Sequence, residues 1–130
     1  MKNDERIKQD VQDYIFTTSI PDEVSGVVKR DRRPQGSTME DVIISVLANE
    51  NGQNQTATVN VNIYVKDKPA GNQKDPDHER LDVLADMSQK VFNVFRGSDF
   101  RARLLSQRIT AVGEGEHVIT NKIEYKQNNE

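Results

Sequence analysis

The stretch that most constrains this chain is Val59-Asn60-Val61-Asn62-Ile63-Tyr64-Val65. Apolar and polar residues alternate through it with period two. Val59, Val61, Ile63 and Val65 therefore point one way, and Asn60, Asn62 and Tyr64 the other. A strict alternation of this length is a half-buried β-strand, with one face on a core and one toward water or a partner. Asn51-Gly52 precedes it and is the strongest short turn signal, because both residues accept positive φ at low cost. The spacing predicts a hairpin in which Asp41 to Asn49 is the first strand, Glu50 to Asn54 the connection and Gln55 to Lys66 the return. The first strand carries apolar residues on both sides (Val42, Ile44, Val46, Ala48 against Ile43, Leu47), which predicts a central strand covered at least partly on both faces.

The elements around this hairpin follow from end signals. Asn3 or Asp4 can cap a first helix running to about Thr17, with a narrow stripe of Ile7, Val11, Tyr14 and Ile15. Pro21 is read as ending any continuation. Val24 to Arg30 reads as a short strand entering a charged, Pro- and Gly-containing loop, Asp31 to Ser37. Asp67 to Lys74 reads as a loop. Asp75 is then a candidate N-cap and Pro76 a first helical residue for a second helix reaching about Phe95, with Gly97 as its left-handed C-cap. The stripe of that helix is Leu81, Leu84, Ala85, Ser88, Val91, Phe92 and Phe95. Phe100 to Val112, with Leu105, Ile109 and Ala111 on one side, and His117 to Lys126, with Ile119, Ile123 and Tyr125 on one face, read as the last two strands around a Gly113 to Glu116 turn. The expected fold is α+β: a two-layer sandwich with a mostly antiparallel sheet of about four to five strands and two helices on one face. The chain reads as one domain over 1–130, with residues 1–3 and 127–130 as disordered ends.

Composition narrows the function classes. The 130 residues hold no cysteine, which excludes disulfides, zinc–thiolate sites and a cysteine nucleophile. The N-terminal Met1-Lys2-Asn3-Asp4-Glu5-Arg6 lacks the apolar run of a signal peptide, and no stretch approaches the roughly 18 apolar residues of a membrane span. A soluble chain made in a cytoplasm, with no membrane contact, is the expectation. Asn54-Gln55-Thr56 matches a glycosylation sequon but in that setting reads as turn residues. The formal charge of −3 brings no global attraction to polyanions.

Local charge is another matter. Lys29-Arg30-Asp31-Arg32-Arg33 holds four cations and one acid, a local +3 that leaves −6 on the rest of the chain. Lys29, Arg30, Arg32 and Arg33 could meet phosphates or a protein partner, or be a solvated strand end paired with acidic neighbours. Arg101 and Arg103 share one strand face, and by parity Arg108 lies on the other. Helix two carries more apolar residues than one stripe needs. Val83, Met87 and Val94, with Arg80 and Lys90 beside them, read either as a wide core face or as an oligomer contact. Asn60, Asn62 and Tyr64 are a plain solvent face or a flat docking surface. Loops 31–40 and 67–75 are further contact sites.

No residue pattern supports catalysis. His78 and His117 are the only histidines, and nothing in the spacing brings metal ligands or a proton-transfer partner to them. Asp82 and Asp86 sit one helical turn apart, the pattern of a solvated face. There is no phosphate loop or nucleophile elbow. No cofactor and no enzymatic activity are expected.

Three segments carry a family resemblance. Asp41-Val42-Ile43-Ile44-Ser45-Val46-Leu47-Ala48-Asn49 with Asn51-Gly52-Gln53-Asn54-Gln55 and Val59 to Asp67, then Pro76-Asp77-His78-Glu79-Arg80-Leu81, and finally Glu116 to Tyr125 resemble small tail-completion proteins of tailed phages and prophages. The chain is similar in particular to the tail terminator or head–tail joining proteins of prophages of gut Bacteroidetes. The likeness covers the element order of nearly the whole chain and is specific over about Asp41 to Leu81. It implies a self-associating ring, usually a hexamer, that caps the tail tube, stops its polymerisation and offers a surface to the head connector or neck protein, with DNA passing through the bore. It implies a virion component assembled in the bacterial host cytoplasm. The Lys29–Arg33 run and the weakly amphipathic first helix match no part of that pattern. Another neck protein, or a small nucleic-acid-binding accessory protein using the basic groups, is the competing expectation, ahead of a small enzyme or ligand-binding domain.

Overall fold

The alternation around Val59 does form a strand, and the rest of the chain is organised about it. A computed structural model describes residues 1–50 and 54–128. In chain order the elements are α1 (Asp4–Phe16), α2 (Ile20–Glu23), β1 (Val28–Arg30), β2 (Val42–Glu50), β3 (Thr56–Lys66), β4 (Lys68–Ala70), β5 (Gln73–Asp75), α3 (His78–Phe92), β6 (Val94–Arg96), β7 (Phe100–Val112) and β8 (Glu116–Gln127). The Asn51-Gly52 turn lies outside the described residues.

The main sheet has six strands in the order β1-β2-β3-β8-β7-β6, and β4 and β5 form a separate two-stranded ribbon. All neighbours in the main sheet are antiparallel except β1 and β2, which run parallel with Val28 opposite Val42. This overturns the expected sandwich of four to five strands under two helices: among the described residues strand makes up 46% against 26% helix, in a curled mixed six-stranded sheet with a small two-stranded one and three helices. The missed strands are each only three residues long. Gln73–Asp75 and Lys68–Ala70 lack any alternation, and Val94–Arg96 lies where a helical stripe continues by spacing alone.

The inward sheet face is closed by α1 and α3. Ile7, Val11 and Ile15 of α1, Val42 and Ile44 of β2, Val59, Val61 and Ile63 of β3, and Ile119, Ile123 and Tyr125 of β8 all belong to one core. Each fully buried branched aliphatic side chain there contributes roughly 1.5–3 kcal/mol. The α1 stripe forms because three apolar positions recur every four residues, and the Asn3 side chain accepts from the Arg6 N–H at 2.9 Å to cap it. The helix stops at Phe16, and Pro21, beyond its end, sits in the first turn of the one-turn α2. The Tyr14 ring stacks on Phe95 at 4.1 Å and its hydroxyl donates to the Val91 carbonyl, which joins α1 to the end of α3.

The α3 boundaries also move. Asp75 belongs to β5, so Asp77 is the N-cap, accepting from the Arg80 N–H. The helix ends at Phe92, three residues before the expected end. Gly97 does not take the left-handed conformation of a C-cap. It is needed for space: a Cβ there would lie 2.2 Å from the Phe100 ring. Lys2, Gln127 and Asn128 are held by hydrogen bonds, while residues 129 and 130, also expected to be disordered, lie outside the described residues. Lys2 exchanges backbone hydrogen bonds with the Gln55 carboxamide, and its Nζ sits between Asp10 (2.6 Å), Asp99 (2.7 Å) and the Tyr125 hydroxyl (2.9 Å). Gln127 closes β8, and the Asn128 N–H donates to the Asp99 carbonyl.

Two β-bulges set the side-chain directions. One falls between Val46 and Ala48 of β2, the other between Leu104 and Ser106 of β7. An extra residue in one strand reverses the parity of everything beyond it. Along β7 the inward residues are Phe100, Ala102 and Leu104 before the bulge, then Gln107, Ile109 and Ala111 after it, opposite Asn121, Ile119 and His117. Leu105, at the bulge, is 43% exposed. Leu105 and Ile109 therefore do not share a side, contrary to the reading by simple alternation.

Candidate functional site

The face of the sheet turned away from the helices is the surface with the most distinctive chemistry. Cross-strand pairing sets its composition. Arg96 of β6, Arg101 of β7 and Lys126 of β8 are direct neighbours in one row across three strands. The next row places Val94 beside Arg103 and Glu124. Beyond the bulge, Ser106 faces Lys122, which faces Asn60, and Arg108 faces Thr120, which faces Asn62. The bulge has brought Arg108 onto the same face as Arg101 and Arg103, the opposite of what residue parity predicts.

These three strands thus present six cations and two carboxylates on one surface: Glu124 among the cations, and Glu116 at the far end of β8, where Arg33 takes it up. Arg103 Nε donates to Glu124 at 3.1 Å, and Lys126 Nζ lies 3.7 Å from the same carboxylate. The Arg103 hydrogen bond holds the Glu124 carboxyl below its usual range against the opposing effect of burial. Among the described residues no carboxylate reaches Arg96, Arg101, Arg108 or Lys122. The helix side has the opposite sign: α1 carries −2, α2 −2 and α3 −1. A chain of net charge −3 is therefore polarised across its thickness.

The basic face is also concave. A depression of about 450 Å³ is lined by Leu47 of β2, Asn60 of β3, Thr120 and Lys122 of β8, and Ser106, Arg108 and Thr110 of β7. Strands β2 and β7 are separated by two others in the sheet, so only a curl toward this face lets both line one hollow. Asn60 lines it and Asn62 follows on the same face of β3; both are half-buried, and the side-chain oxygen of each is hidden without a partner among the described residues.

The residues singled out from sequence are dispersed. Lys29, Arg30 and Arg32 are exposed at the end of β1. Arg33 is not part of a free patch. Its Nε donates to Asp41 at 2.9 Å, Nη1 to Glu116 at 3.0 Å and Nη2 to the Met39 carbonyl, while its guanidinium lies 4.2 Å above the Tyr64 ring. Burial disfavours ionised Asp41, but the Ser37 hydroxyl at 2.6 Å, the Val27 N–H and Arg33 outweigh it and hold that carboxyl below the ordinary range. Asp31 is drawn off to Lys8 at 2.7 Å.

Arg80 is likewise occupied. It grips Glu40 at 2.6 and 2.7 Å and Glu23 at 2.9 Å, tying the first turn of α3 to α2 and to the loop that leads into β2. Val83 is 49% exposed on α3, and Met87 is half-buried against the core. Val94 leaves the helix altogether and stands 71% exposed on the basic sheet face beside Arg103. Val83, Met87 and Val94 thus do not form one strip. His117 Nδ1 lies 2.7 Å from Asp67, and no group of three His, Asp or Glu side chains converges among the described residues. No helix among them is long and apolar enough to cross a membrane.

Sequence reasoning named Arg101, Arg103 and Arg108 but split them between two faces, and it missed Arg96, Lys122 and Lys126 as their neighbours. A usable signal was present. Phe100, Ala102 and Leu104 keep one parity and Gln107, Ile109 and Ala111 the other, a phase slip that marks a bulge. No known protein family matches the sequence, and no curated protein is recognisably similar to it.

Proposed function

We propose that the chain is a structural assembly subunit of the tail-terminator type, which closes into a ring by head-to-tail contact. The observation that carries this reading is the pair of unlike free edges on the main sheet. β1 covers β2 only from Val42 to Ile44, and β6 covers β7 only from Arg101 to Arg103. Ser45–Glu50 at one end and Leu105–Val112 at the other each lack a strand on their outer side among the described residues. Leu47, Leu105 and Ile109 are exposed there at 58%, 43% and 44%. Long uncovered edges are templates for pairing with another chain. Two different edges on opposite ends of one sheet suit a heterologous interface, which closes a ring when the rotation per subunit allows.

In this reading the ring, a hexamer by family resemblance, is a virion component assembled in the bacterial host cytoplasm. It meets the tail tube protein on one side and the head connector on the other. Val83 on α3 lies outside the edge contact and is available to the second of these partners. The test is light scattering of the wild type and of Leu105→Lys with Ile109→Lys, alone and with polymerising tube protein. The wild type is expected to form rings or to limit tube length. The double variant is expected to be a monomer that leaves tubes uncapped, with unchanged circular dichroism. A double variant that assembles and caps like the wild type overturns the edge-pairing reading. A wild type that neither self-associates nor alters tube length overturns the assignment.

A further inference from the structure

We propose that the concave outer face of the β6–β7–β8–β3 sheet binds the phosphodiester backbone of nucleic acid, without selecting base sequence. This inference does not rest on ring formation, because one subunit carries the whole surface.

The first argument is the Arg96–Arg101–Lys126 row. Like charges placed directly across neighbouring strands destabilise a sheet, and this row places three in succession. Glu124 offsets only part of that repulsion, through Lys126 at 3.7 Å. A polyanion laid over the face removes the repulsion and takes the place of the missing carboxylates. Arg101 and Arg103 stand two residues apart on one strand, an advance of about 6.8 Å. That is close to the axial rise of two nucleotides at about 3.4 Å per strand phosphate.

The second argument is the hollow beside the row. Arg108 and Lys122 share it with the hydroxyls of Ser106, Thr110 and Thr120 and the Asn60 carboxamide. These are donors of the kind that fix phosphate and sugar oxygens. Among the described residues the only aromatic ring on this face, Tyr64, is covered by Arg33, so none of them is offered for base stacking. Contacts from this face accordingly go to the backbone.

An acidic polypeptide is the other polyanion to weigh. Extended peptides gain affinity by adding to a sheet edge, where main-chain groups are free. The main-chain groups of β3 and β8 at the centre of this face are already paired on both sides, and the free edge of β7 lies at its border. The charged rows, the hydroxyl-lined hollow and the acidic opposite layer together favour a nucleic acid lying on one side of the molecule.

Fluorescence anisotropy with a short random-sequence DNA duplex tests this, on the wild-type chain and on Leu105→Ser/Ile109→Ser, which takes away the apolar edge residues without adding cations to the face. With about four phosphates engaged, affinity should fall roughly a hundredfold between about 50 and 200 mM salt. Arg108→Gln or Lys122→Gln should each weaken binding to all sequences alike and lower the salt slope by about one. Arg101→Glu combined with Arg108→Glu should abolish it, and Arg101→Gln with Arg108→Gln serves if the reversal impairs folding. Lys29→Glu with Arg30→Glu and Arg32→Glu should leave binding unchanged. The proposal is overturned if the duplex does not bind at the lower salt, or if the loop triple variant, and not the face variants, removes binding. It is also overturned if polyglutamate of equal charge displaces the duplex as well as unlabelled DNA does, which would assign the face to an acidic protein.

Discussion

Two basic regions of this molecule look alike as charge counts and behave differently as structure. The Lys29–Arg33 run is contiguous in sequence, yet its Arg33 is consumed by Asp41, Glu116 and the Tyr64 ring, and its Asp31 by Lys8. The outer sheet face is assembled from three strands, and four of its six cations have no carboxylate partner among the described residues. The first region uses charge to hold loops onto the sheet, while the second keeps charge available. The difference lies in geometry: a loop can fold its cations back onto buried acids, whereas side chains on one face of a sheet must all point outward together.

The largest expected effect breaks the first region. Asp41 is almost fully buried, and removing its cation leaves an uncompensated charge, which costs about 3–5 kcal/mol. Arg33→Ala should therefore lower the midpoint of urea unfolding substantially. An unchanged midpoint would mean that Ser37 and the Val27 N–H satisfy Asp41 without help.

Acid titration sharpens the same contrast at intermediate size. Asp41 has a folded-state pKa below its ordinary value, so the unfolded chain binds the proton first as the pH falls. The stability it contributes is fully present above about pH 4 and is lost as the pH falls through the depressed folded value. Thermal melting between neutral and strongly acidic pH should show this loss, and Arg33→Ala should flatten it. A melting temperature independent of pH in the acid range would remove Asp41 from its structural role.

The smallest effect belongs to the second region. Arg101→Gln removes one member of a like-charge row with no ion pair of its own. It should change stability by less than about 0.5 kcal/mol, in the stabilising direction if at all. A clear destabilisation would show that Arg101 holds the fold, and would place the outer face in the same class as the loop.

Much of the scaffold was legible in the residues. The β3 alternation, the Asn3 cap with its Ile7–Val11–Ile15 stripe and the Leu81–Leu84–Ser88 face of α3 are local periodic patterns, and local patterns survive folding when one face must be buried. The parallel placement of β1 was not legible, because three residues carry no directional signal. Neither was the β4–β5 ribbon, whose two three-residue strands are too short to show an alternation. The exchange of Val94 from helix to strand was hidden by a helical spacing that continues past the real end. The candidate site suffered most. Its arginines were visible, but the Leu104–Ser106 bulge decided which of them meet.

The sequence by itself determined that this chain would bury one face of long strands under an amphipathic helix, since period two and period 3.6 each dictate a buried side. Tertiary structure alone decided the use of its charges. Arg33 reaches Glu116 across 83 residues, and Arg96, Arg101 and Lys126 become neighbours only through strand pairing. Register and bulges are settled by packing against the rest of the sheet, and a shift of one residue sends every following side chain to the other face.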